Sequence, residues 1–113
     1  MAVPAALRTA AALVAVEAVV EAVVIARRDE LTLGLRVMLI GFLSLKWLCA
    51  GGILRLQAGA ALGVFLLEGT SVVAALGAVD APAGARLALA GSAGLAMVLV
   101  ATSLHAFPEA PLP

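Results

Sequence analysis

The chain has 113 residues, 65% of them hydrophobic and 12% charged, with seven basic side chains against seven acidic ones and a mean hydropathy of +1.20. A soluble domain keeps about a quarter of its residues charged, a disordered chain lacks apolar surface to bury, and a nucleic-acid-binding chain carries a basic excess. All three classes are excluded, and an integral membrane protein whose first partner is the lipid bilayer is the class that remains.

A membrane-crossing helix needs about 20 mostly apolar residues, and four such stretches follow one another along the chain. The first runs over about Ala5–Ala26 and ends at Arg27-Arg28-Asp29-Glu30, four charges that cannot stay in hydrocarbon. Glu17 and Glu21 lie inside this stretch, unlike a secretory leader, so it is expected to be an uncleaved span. The second runs over about Leu33–Leu54, and Gly51-Gly52 followed by Arg55-Leu56-Gln57 marks a very short turn. The third is expected over about 57–79, closed by Asp80-Ala81-Pro82-Ala83-Gly84, which holds a helix breaker. The fourth is expected over about 85–107, before a proline-rich tail that cannot continue a helix. The predicted architecture is all-α: one transmembrane domain over 1–113, an antiparallel up-down-up-down four-helix bundle.

The 27 alanines and the absence of Asn and Tyr fit a GC-rich bacterial genome, and with no organelle-targeting signal the expected address is the bacterial cytoplasmic membrane. Arg27, Arg28, Arg36 and Arg86 fall on the side of the first and third loops, against Arg8 and Arg55 on the other. That count favours the first and third loops in the cytoplasm by a narrow margin.

The informative residues are charges at membrane depth: Glu17, Glu21, Lys46 and Glu68 within spans, and Arg36 near a span end. A charge at a helix centre costs about 2.5–3.5 kcal/mol on insertion scales, so the first helix, with two Glu, needs partners from its neighbours. At 1.5 Å rise per residue, Glu68 falls near the bilayer centre and Glu17 about 2 Å toward the first loop. Lys46 falls about 4 Å the other way, Glu21 about 8 Å and Arg36 about 11 Å toward the first loop. These depths pair Glu21 with Arg36, and Lys46 with Glu68 or Glu17. Three acids and two bases leave one carboxyl without a base; Glu17 is the foremost candidate to carry a proton and Glu68 its competitor, whichever of the two loses Lys46.

Gly59 and Gly63 form a G-x-x-x-G pattern on the third span, a helix-packing signal that serves contacts within the chain or a dimer. Trp47 reads as a lipid-facing or packing residue, the single His105 as interfacial and the single Cys49 as a small packing residue. No Ser-His-Asp set, metal cluster, phosphate loop or haem-ligand pair is visible, so neither catalysis nor a cofactor is expected.

The layout is similar to that of the small multidrug resistance transporters in its length, its four spans and the acid Glu17 in the first helix. It differs from them in having only Phe65 as an aromatic in the third span, and in carrying Glu21 and Lys46 besides. The leading functional expectation is a small non-enzymatic membrane protein acting as a homo-oligomer or as an accessory subunit beside other membrane subunits. The alternative is a minimal proton- or ion-coupled transporter or channel working through Glu17, Glu21 and Glu68.

Overall fold

The computed structural model describes residues 3–77 and 82–108. It is all-helical: α1 (Ala5–Ala26), α2 (Leu33–Leu54), α3 (Ala58–Gly77) and α4 (Ala83–Thr102), then a short 3-10 turn η1 (Leu104–Ala106). All four long helices are long and apolar enough to cross a membrane. The first two match the sequence expectation residue for residue. α3 begins one residue later than expected, and the expected end of that span at residue 79 lies outside the described residues. α4 starts two residues earlier than expected and stops at Thr102 rather than 107. Pro82 has a backbone already shaped to open a helix, and its carbonyl accepts from Arg86 N at 3.1 Å. At the far end, Ser103 leaves the α-helical conformation and the chain tightens into η1.

Local chemistry accounts for the other ends. The Thr32 hydroxyl accepts from Leu35 N at 3.2 Å and caps α2. Where α2 stops, Leu56 takes the left-handed conformation (φ 55°), and Gln57 N donates to Gly52 O at 2.9 Å. Those bonds satisfy carbonyls the helix leaves open, so three residues suffice to reach α3.

Each helix packs against two others, α1 on α2 and α4, and α3 on α2 and α4, so the four form a closed ring. The core is half alanine and lies in one half of that ring. It draws on Leu7, Ala10, Ala11 and Val14 of α1, Ala50 and Ile53 of α2, Ala60, Ala61 and Val64 of α3, and Ala96 and Val100 of α4. Larger apolar side chains point the other way: Val16, Val20, Met38, Leu48, Leu62, Leu66, Val73, Leu87 and Val98 are all mostly exposed. An alanine-rich interior with most large apolar side chains outside is how helices pack when the solvent is lipid, because van der Waals contact rather than water drives association. A water-soluble domain would bury those side chains. Outward hydroxyls are likewise satisfied within their own helices: Thr9, Ser44, Thr70 and Thr102 each donate to the carbonyl four residues back.

Candidate functional site

Lys46, on the inner face of α2, is completely buried. Its Nζ lies 3.0 Å from Glu21 Oε1, 3.4 Å from Glu68 Oε1 and 3.8 Å from Glu17 Oε2. Glu17 and Glu21 come from one face of α1, being four residues apart, and Glu68 comes from α3. α4 contributes the Ser92 hydroxyl, which donates to Glu17 Oε1. The Phe42 ring, one turn before Lys46, sits with its centroid 5.6 Å from the ammonium and offers it a π face. Three helices therefore meet at one ammonium, and α4 joins the cluster through Glu17.

The cluster holds one cation and three carboxyl groups. Fully ionised it would carry two excess negative charges, and unpaired charge in an apolar interior is strongly unfavourable. It is neutral when two of the three carboxyls hold protons. Glu17 Oε2 and both oxygens of Glu68 have no hydrogen-bond partner among the described residues. A carboxyl proton shared between those two groups supplies a donor where the protein offers none.

The three acids differ in how they reach the outside. Glu68 is fully enclosed and Glu17 nearly so, whereas the Glu21 side chain keeps 21% of its surface open. Glu21 lines a cavity of about 350 Å³ in the half of the ring away from the packed core. Its walls are apolar, chiefly Leu35, Met38, Leu39, Phe42 and Leu43 of α2, with Thr70, Ser71 and Ala74 from α3. Among the residues that line it, Glu21 alone is ionisable.

The structure thus brings together four of the five charges singled out from sequence, Glu17, Glu21, Lys46 and Glu68, and leaves out Arg36. The expected Glu21–Arg36 pair is not formed. Arg36 turns to the main chain instead, with Nη2 donating to Arg28 O and Nε to Leu31 O at 3.4 Å. Arg86 does the same for α3, donating to the carbonyls of Ala75 and Leu76. Arg86 closes carbonyls in the last turn of α3, and Arg36 binds one just beyond the end of α1 and one just before α2; cations are favoured at helix C-termini. Ser92, Phe42 and Ser71 were not assigned to the cluster from sequence. Phe42 and Ser92 carried usable signals: Phe42 is four residues before Lys46, and Ser92 is the one hydroxyl in the middle of α4.

The packing glycines divide. A side chain at Gly63 would meet Cys49 of α2, so this position serves contact within the chain, while Gly59 faces open space. Trp47 is half exposed beside Arg8 at a shallow groove between α1 and α2. His105 is exposed on η1, and no group of three or more His, Cys, Asp or Glu among the described residues is arranged to hold a metal ion. No protein-family profile, curated protein or solved structure matches the chain.

Proposed function

We propose that the chain inserts in a bilayer as an antiparallel up-down-up-down bundle and works there, without enzymatic chemistry, as a minimal proton-exchanging carrier. The connectors at 27–32 and 55–57 are too short to return a helix of about 30 Å to its starting side, which supports the antiparallel arrangement. The single observation that carries the functional reading is the apolar cavity that ends on Glu21, one ammonium away from two sealed carboxyls. A cluster serving only as structural glue needs no such opening, whereas a carrier needs its acid reachable from one side at a time. Protons are the minimal cargo that the three-acid, one-base composition accommodates.

Reconstitution in vesicles loaded with a pH-sensitive dye tests this reading. Wild type collapses an imposed pH gradient faster than protein-free vesicles, and Glu21→Gln, with its helix content intact, returns the rate to that of empty vesicles. Equal rates for wild type and empty vesicles overturn the carrier reading.

The bacterial cytoplasmic membrane is the proposed address, with the 27–32 loop cytoplasmic on the arginine count. Single cysteines near Asp29 and Glu109, in a Cys49→Ala background, report the orientation. An impermeant external reagent labels the site near Glu109 and spares the one near Asp29. The opposite pattern inverts the assignment, and partial labelling of both means insertion in two orientations.

A second reading, an oligomer or an accessory subunit among other membrane subunits, is favoured by one observation. The Gly59 half of the G-x-x-x-G pattern faces outward with nothing within 4 Å, next to the exposed Leu62 and Leu66. An absence of proton flux with the fold intact favours this reading over the carrier.

A further inference from the structure

Lys46 Nζ stands within 4 Å of three carboxyl groups on two helices, and its distances to them differ by less than 1 Å (3.8 − 3.0 = 0.8 Å). A lysine carries its charge as a compact point on a four-carbon stem with rotatable bonds, so small torsional changes redirect it. Glu21 is at the cavity floor and Glu68 and Glu17 are sealed behind it. The other groups facing the cluster carry no charge: Ser92 from α4 and Phe42 from α2 itself. Arg36 and Arg86 are engaged with main-chain carbonyls elsewhere.

We propose that Lys46 is a travelling counter-ion whose ammonium follows whichever of the three carboxyls is ionised. Two arrangements of equal charge result. In the first, Glu21 is a carboxylate held by the ammonium, and Glu17 and Glu68 carry one proton each. In the second, the proton has moved from a Glu68 oxygen to a Glu21 oxygen, breaking one O–H bond and forming another, and the ammonium has moved to the Glu68 carboxylate. No electron transfer is involved, and the cluster stays neutral throughout. The second arrangement presents a neutral, protonated Glu21 to the cavity, where its proton exchanges with the open side. The first presents a carboxylate already neutralised by Lys46. Lys46 thereby sets whether the cavity faces a proton donor or a closed ion pair, and the Phe42 ring gives the ammonium an apolar surface along the way.

This inference rests on the carrier reading, but its test counts protons and not flux. The whole chain, labelled with 13C-glutamate, is reconstituted in vesicles, and the carbonyl band of protonated carboxyls is measured by infrared spectroscopy at neutral pH. Glu68→Gln removes one protonated group and calibrates the band for a single carboxyl. In Glu21→Gln the ammonium claims one of the two remaining carboxyls, so the band falls to half its wild-type area. An unchanged band overturns the proposal, because Glu17 and Glu68 then keep their protons regardless and Lys46 belongs to Glu21 alone.

Lys46 is the only lysine in the chain, so 15N-lysine labels one site. Its resonance stays that of an ammonium in Glu21→Gln if the charge travels, and becomes that of a neutral amine if it does not. Should Glu21→Gln fail to fold, the wild-type resonance across a temperature series decides instead, because the two arrangements hold the same number of protons and pH does not interconvert them. A travelling ammonium shifts in position while remaining charged, and a fixed one holds a single resonance. Flux in wild type with no band loss in Glu21→Gln sinks the travelling counter-ion and leaves the carrier standing; band loss in Glu21→Gln with no flux in wild type does the reverse.

Discussion

Lys46→Met lowers the unfolding free energy by about 3–5 kcal/mol, the range for removing one partner of a buried ion pair. The methionine fills the volume of the lysine stem, so the loss isolates the charge. Without the ammonium, each of the three carboxyls stays buried only as the protonated acid. Raising the pH strips those protons, so the mutant loses stability with pH more steeply than wild type, in which one of the three carboxyls is already a carboxylate neutralised by Lys46 and only two protons remain to be lost. Glu21→Gln in the Lys46→Met background removes one of the orphaned acids and restores part of the loss. Denaturation in mixed micelles at several pH values measures all three effects. A pH-independent deficit in Lys46→Met contradicts the charge count on which the site is built.

The second large effect is steric and lies far from the charges. At Gly52 a methyl group would stand 2.6 Å from Ala60 Cβ and 3.0 Å from Gln57 Oε1. Ala60 has no rotamer with which to move aside, so α2 and α3 must separate at their tightest point. Gly52→Ala therefore costs about 1–3 kcal/mol, the range for overpacking. At Gly63 the clash, at 2.5 Å, is with the Cys49 sulfur, which can rotate, so Gly63→Ala costs less. Gly59→Ala meets nothing and leaves the monomer's stability unchanged or slightly raised through helix propensity. The order of the three melting temperatures, lowest for the Gly52 variant, is the measurement. A Gly59 variant that melts lowest would mean this face is covered in the assembled protein.

Much of the fold was legible because lipid imposes a length. About 20 apolar residues between charged or Pro/Gly punctuation leave little freedom, and α1 and α2 agree with the sequence expectation to the residue. The ends of α4 were harder to read: Phe107 is apolar and buried, yet it follows a 3-10 turn that hydropathy does not register. For the cluster, residue types sufficed to select Glu17, Glu21, Lys46 and Glu68, and depths taken from Cα positions rightly put Lys46 with Glu68 and Glu17, but they gave Glu21 to Arg36 instead of to Lys46. Helical side chains lean toward their own N-terminus. In the antiparallel arrangement proposed above, Glu21 on α1 leans away from the first loop and Lys46 on α2 leans toward it. The roughly 12 Å of Cα depth between them is thereby closed by two long side chains. Arg36 leans toward the first loop as well, and so ends on the carbonyls of Arg28 and Leu31, away from Glu21.

The three-residue turn at Leu56 has a mechanical consequence. It ties α2 to α3 at the end where Gly52 and Ala60 nearly touch, and α1 and α4 are knitted to that same half by alanine. The cavity lies in the other half, and its walls are mostly Leu and Met side chains of α2. The pair α2–α3 is therefore a pair of tongs with a stiff pivot and free jaws. A helix of 20 residues is about 30 Å long, so a tilt of about 10° at the pivot moves the jaw ends by about 5 Å. Lys46 of α2 and Glu68 of α3 sit partway along the handles, where the same tilt moves them less than half as far. Large opening at the mouth and small adjustment at the charges come from one motion, and stiffening the turn would suppress both together.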